Sequence, residues 1–190
     1  MKTVFFDIDT QIDFLFPAGA LFVPGSAPLV RKVADLNHWA AANGIPVVST
    51  VDAHAENDPE FRQWPPHCVA GTTGQQKPAA TLLEKRVLVP SRKAEFSLNG
   101  AQQIILEKQT TDAFTNANIP ELLDRLDAGR YVVYGVVTEI CVRNAVRGLL
   151  QTGRRIEILA DAIQHLNEKE AARFLAEFVA GGGFLSRSPA

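Results

Sequence analysis

The sequence predicts an α/β protein: a three-layer, doubly wound sheet of about six parallel strands with helices on both faces. Three observations lead to it. Short β-branched and aromatic runs alternate with segments of helical period along the chain. The runs are mostly apolar, as strands covered on both faces must be. The segments between them are long enough for right-handed crossovers. With 190 residues, 46% of them hydrophobic, the chain can build one well-packed core but not two, so a single domain over 1–190 is expected.

The elements follow in order. Thr3 to Ile8 is a short β-prone run, and a Phe-, Pro- and Gly-rich loop follows through Gly25. Pro28 to Asn43 carries Leu29, Val30, Val33, Leu36 and Trp39 at helical spacing, and Gly44 stops that helix. Ile45 to Val51 reads as a buried strand. The segment from Asp52 to Ala80 has little periodicity, and a loop that long inside a compact domain is usually functional. Arg86 to Val89 and Gln103 to Glu107 read as strands, Ile119 to Leu126 as a short helix and Tyr131 to Val136 as a strand. Glu139 to Thr152 is a helix, Ile156 to Leu159 a strand and Glu168 to Ala180 the last helix. The tail from Gly181 to Ala190 is expected to be loosely held.

Composition excludes several functions. A formal net charge of −2 without a dense Lys/Arg run gives no footprint for nucleic acid or an anionic membrane, which leaves small molecules as partners. No apolar run reaches the roughly 18 residues that span a bilayer. Only Cys68 and Cys141 occur, and the amino terminus leads straight into Val4-Phe5-Phe6-Asp7-Ile8. A cytoplasmic protein with reduced thiols is expected. A homo-oligomer, a dimer or higher, is the expected assembly.

In open parallel sheets, ligands bind beyond the carboxyl ends of the strands. The ionisable residues there are Asp9, Asp52 with His54, Lys108 and, after the fifth strand, Cys141. Cys141 falls in the first turn of a helix, where the dipole and free N–H groups favour a thiolate. Two readings stand for it, a packed structural thiol or a nucleophile. An Asp, a Lys and a Cys on one rim could perform acyl transfer: the carboxylate takes the thiol proton, the thiolate attacks a carbonyl carbon and the ammonium steadies the charges.

A second constellation lies in the long loop. Asp52, His54, Glu60 and His67 place two imidazoles and two carboxylates within sixteen residues. Mixed N/O donors suit zinc, iron or manganese. The same histidines could instead serve as loop hydrogen-bonders.

Together these residues carry a resemblance. Asp9-x-Gln11-x-Asp13-Phe14, Asp52-x-His54, Trp64-Pro65-Pro66-His67-Cys68-Val69-x-Gly71, Lys108 and Gly135-x-x-Thr138-x-x-Cys141-Val142 resemble, in the same order, the nicotinamidase branch of the isochorismatase-like cysteine hydrolases. The resemblance implies hydrolysis of nicotinamide to nicotinate and ammonia through a thioester. It implies a triad of Cys141, Asp9 and Lys108, and an oxyanion hole from the backbone N–H groups of Val137 and Cys141. It also implies a non-proline cis peptide between Val136 and Val137. Asp52, His54 and His67 match the metal ligands, with Glu60 as the fourth and Asp58 as its substitute; zinc is the foremost ion, iron or manganese the alternatives. Phe14 and Trp64 match the aromatics that sandwich a pyridine ring.

The chain departs from that pattern at Glu139 and Ile140, where the branch usually has Asp and His or Tyr, and at Gln109-Thr110-Thr111, where Gly is common after the lysine. A related amidase acting on another small amide, carbamoyl or ureido compound is therefore the alternative enzyme, and a catalytically idle binding domain the alternative class. Cys68, in a loop with no helix terminus, is read as packing.

Overall fold

The computed structural model describes residues 1–189. Seven parallel strands form one sheet: β1 (Thr3–Ile8), β2 (Val47–Asp52), β3 (Arg86–Val89), β4 (Gln103–Lys108), β5 (Arg130–Val136), β6 (Arg155–Gln164) and β7 (Phe184–Ser186). Their order across the sheet is β3-β4-β2-β1-β5-β6-β7. The helices are α1 (Ile12–Leu15), α2 (Leu29–Ala42), α3 (Ile119–Leu126), α4 (Arg143–Leu150) and α5 (Glu168–Ala180).

Strand alternation makes the layers. Val4, Phe6 and Ile8 of β1 point into a core with α3, α4 and α5, while Phe5 points into a second core with α2. The chain first adds strands on one side of β1 and then crosses to the other with β5, so the switch point lies between β1 and β5. Asp9 and Cys141 follow those two strands.

Gly135 makes the approach at that point feasible. It has φ +117°, and a Cβ there would collide with the Ile8 backbone. The peptide between Val136 and Val137 is cis, as the resemblance implied.

Three expectations are corrected. The segment expected as a helix from Glu139 opens instead with a π turn over Thr138–Val142, and the α-helix begins at Arg143. The sixth strand runs to Gln164, well beyond Leu159. The tail is not loose but adds β7, paired with β6 from Glu157 to Leu159. Asp161 holds it from the side: the Ser188 amide and hydroxyl donate to its carboxylate at 2.8 and 2.5 Å, and Lys32 Nζ donates at 3.1 Å.

Those bonds lower the Asp161 carboxyl to about 2 against the opposing effect of burial. A depressed carboxyl stabilises the fold above its unfolded value and ceases to as pH falls through the folded one. Amide exchange protection at Phe184–Ser186 is therefore expected to hold down to pH near 4 and to weaken between there and 2. Asp161→Asn should weaken it above pH 4 and converge with the wild type as pH approaches 2; equal protection in the two proteins at neutral pH would contradict the tether.

No helix is long and apolar enough to cross a membrane among the described residues.

Candidate active site

The first cluster is built on register. Asp52 and Lys108 are direct partners on β2 and β4. The Lys108 ammonium is buried at 1% side-chain exposure, hydrogen-bonds Asp52 Oδ1, lies 2.8 Å from Asp9 Oδ2 and donates to Thr110 O at 3.0 Å. Asp9 has φ +49°, a conformation that Asp tolerates better than most residues and that its partners enforce. Its amide donates to Thr50 O at 3.1 Å, and the Thr50 hydroxyl donates to Asp9 Oδ1 at 2.6 Å.

Burial pushes the Asp9 carboxyl up, Lys108 opposes that push and Asp52 adds to it, with a net rise. Asp52 goes the other way: Lys108 and the two histidines more than offset its burial and hold it well below the carboxylate range. Burial works against the Lys108 charge, but Asp52, Asp9 and Cys141 outweigh it, so the ammonium keeps its proton. Cys141 is 8% exposed. Burial pushes its thiol well up; Lys108 opposes, while the nearby Asp9 and Asp52 carboxylates add to the rise. The resting group is thus a thiol beside a carboxylate of raised basicity.

The π turn sets the backbone around Cys141. The Val137 carbonyl accepts from Ile140 N at 3.0 Å and Val142 N at 3.1 Å, and the Cys141 amide is not among its donors. The Val137 amide donates to no backbone carbonyl among the described residues. Single π turns inside helices are frequent at functional sites.

The second cluster is built by a bridge. A parallel bridge between His54 and Val69, with His54 N donating to Cys68 O at 3.2 Å and Ala70 N to His54 O at 2.9 Å, lays His67 against His54. The Asp52, His54 and His67 donor atoms lie within 4.8 Å of one another, all buried. Asp52 Oδ2 is 3.9 Å from His54 Nε2 and 3.7 Å from His67 Nε2, and Glu60 Oε1 is 3.9 Å from His54 Nε2. Two donors about 2.1 Å from one ion stand roughly 3 to 4.2 Å apart, so these spacings fit a shared cation.

The other ring atoms agree. His54 Nδ1 is 3.1 Å from Asp58 Oδ2, and His67 Nδ1 is 2.8 Å from Pro65 O. Ring-orienting partners of this kind accompany metal-binding histidines and leave Nε2 for the ion. Neither ring nitrogen of His54, a fully buried residue, makes a well-aligned hydrogen bond among the described residues, although Nδ1 lies close to Asp58. The buried Asp-His-His group is compatible with a divalent metal. Asp58 faces His54 Nδ1, on the side of the ring away from Asp52 and Glu60, which face Nε2. Burial and the Asp52 charge push the Glu60 carboxyl up, an effect the nearby cationic groups oppose.

Lys108 joins the clusters, and one cleft serves both. It is lined by Cys141, Val137 and Ile140 on one side, by Asp52, Glu60, His67 and Trp64 on another, and closed by Phe14, Leu21, Thr111 and Leu166. All of the expected site residues except Asp9, Lys108 and His54 line it, and those three lie directly behind. The Phe14 ring meets His67 edge-on at 5.4 Å, and Phe61 packs on both imidazoles at 5.2 and 5.8 Å. Sequence reasoning missed Phe61, Thr111 and Leu166. Phe61 lay inside the metal loop as an apolar residue among polar ones, the one signal that marked it. Cys68 is fully buried, its thiol pushed far up by burial, which agrees with packing.

Fold and site together define a hydrolase built on a parallel α/β sheet. Residues 3–188 match the Isochorismatase domain, and the chain belongs to that family. An uncharacterized isochorismatase family protein, PncA, of Bacillus subtilis (strain 168) is 29% identical over 182 residues, covering 94% of each chain. A nicotinamidase of Escherichia coli (strain K12) is 27% identical over 208 residues, which span 94% of this chain and 91% of that one. Among solved structures, a pyrazinamidase of Pyrococcus horikoshii in complex with zinc superposes with a TM-score of 0.83 at 26% identity, over 99% of this chain and 100% of that one.

Proposed function

We propose that the protein is a metal-assisted nicotinamidase that converts nicotinamide to nicotinate and ammonia through a thioester on Cys141. The observation that carries this is the Lys108 ammonium shared by Asp9 and Asp52, which couples a thiol-carboxylate pair to the metal-type cluster in one cleft.

Asp9 takes the Cys141 proton as sulfur attacks the amide carbon. Its raised basicity suits that transfer, because a general base works best with a pKa near the working pH. The oxygen that gains the electron pair is met by the Val137 and Cys141 N–H groups, fixed before the reaction begins. The proton on Asp9 then goes to the nitrogen, the C–N bond breaks and ammonia leaves. Water attacks the thioester with Asp9 again as base, releasing the acid and restoring the thiol. Lys108 keeps Asp9 ionised between the two half-reactions. Asp52, His54, Glu60 and His67 would hold a divalent ion, zinc foremost, which supplies a positive centre for an electron-pair donor such as a ring nitrogen. Phe14 and Trp64 offer flat apolar surfaces to the ring.

Thr111 gives a second reading some support. It lines the cleft from the segment that departs from the nicotinamidase pattern, its hydroxyl accepting from Asn144 Nδ2 at 3.2 Å, and a polar residue there favours a more polar amide, carbamoyl or ureido substrate.

Ammonia release from nicotinamide by the purified protein, set beside Cys141→Ala, tests the proposal. Release is expected from the wild type and none above background from the variant. Silence from both proteins rules out nicotinamide, and release by Cys141→Ala rules out the thioester.

A further inference from the structure

The last backbone bond from β1 to β2 is that of Asp9 N to Thr50 O. At Asp9 the chain turns away, so Asp52, two residues further along β2, has no β1 backbone beside it. The Gln11 side chain fills the gap. Its Oε1 accepts from Asp52 N at 2.7 Å, and its Nε2 donates to Asp52 O at 2.8 Å and to Gln75 O at 2.7 Å. A primary amide offers a donor and an acceptor side by side, as a peptide group does. Gln11, fully buried, thus continues the ladder where the strand stops. On the other edge Asp52 is paired with β4 at Lys108.

We propose that Gln11 is a positioning residue that sets the aim of the Asp52 carboxylate, and through it the affinity of the metal cluster. The carboxylate has two tasks, Oδ1 on Lys108 and Oδ2 toward His54 and His67, and a turn of its backbone would satisfy one at the expense of the other. Gln11 does not line the cleft, so it acts through the backbone groups it bonds, those of Asp52 and of Gln75. Asp13, two residues on, does similar work for the loop: its Oδ2 accepts from Cys68 N at 2.7 Å, directly after His67. The inference rests on the metal reading given above.

Zinc affinity, measured on the full chain by competition with a chromophoric chelator and without substrate, provides the test. Gln11→Met removes all three bonds; Gln11→Glu keeps an acceptor for the Asp52 amide and serves if the first variant does not fold. Both are expected to bind zinc about 10–100-fold more weakly than wild type, the usual effect of losing an outer partner of a ligand. Gln103→Met is the control: Gln103 is equally buried and bonds Ser49 Oγ, Thr81 O and Leu83 N, away from the cluster. It should lower thermal stability yet bind zinc as wild type does. Wild-type affinity in the Gln11 variants, or equal weakening in Gln103→Met, overturns the assignment while leaving the metal reading in place. Failure of the wild type itself to take up zinc overturns the metal reading and this assignment with it.

Discussion

Lys108→Met is expected to abolish turnover and to destabilise the fold by about 3–5 kcal/mol, the range for removing one partner of a buried ion pair. Here the loss is sharper than for a simple pair, because one ammonium at 1% exposure serves both Asp9 and Asp52. Without it two buried carboxylates share a region of low dielectric. Asp9, which burial and Asp52 already push up, rises further and holds a proton through neutral pH. A protonated Asp9 cannot accept the Cys141 proton, so stability and catalysis fail together. The sign of the pH dependence follows. A carboxyl whose folded pKa is raised stabilises the folded state below its unfolded value, and that contribution is lost as pH rises through the folded one. Urea unfolding should therefore show the deficit of Lys108→Met growing from acid to neutral pH. A constant deficit, or residual turnover within tenfold of wild type, would mean that Lys108 does not govern Asp9.

How much of this was legible in the sequence divides along a physical line. Strand ends follow from patterning, and patterning put Asp9, Asp52 and Lys108 on one rim, because each stands where an apolar run gives out. The structure joins Asp52 to Lys108 through β2–β4 register and Asp9 to both through the Lys108 ammonium. Partners across loops were not legible. That Asp58 faces His54 Nδ1, or that Gln11 replaces a strand beside Asp52, depends on how the 52–80 segment folds back on β1, and no local period encodes that. The π turn escaped for a related reason: its hydrogen bond skips one residue, which a helical repeat read over a dozen residues cannot register. The strand β7 was missed because three residues are too few to show alternation. Its hold comes instead from side chains elsewhere, Glu157 on Ser186 and Asp161 on Ser188.

His67→Ala separates orientation of the substrate from attack on it. His67 Nε2 faces Asp52 Oδ2 at 3.7 Å, while its ring packs on Phe14 in the wall of the cleft. No hydrogen bond or ion pair among the described residues links it to Lys108 or Asp9, so its removal leaves the proton path intact. Structural zinc sites gain roughly 10–16 kcal/mol from four ligands, or ~3 kcal/mol for each, so one ligand fewer should weaken zinc binding by ~100-fold or more. Because ligand binding stabilises by mass action, added zinc should raise the melting temperature of the wild type clearly and that of the variant little. In kinetics the loss should appear in KM, by about tenfold or more, with kcat held within about threefold, since binding that is equal in ground and transition states sets KM alone. A fall in kcat at unchanged KM would instead put His67, or the ion it helps to hold, at the reacting carbonyl. In that case the metal-type cluster would belong to the chemistry of Cys141 and not to the choice of amide.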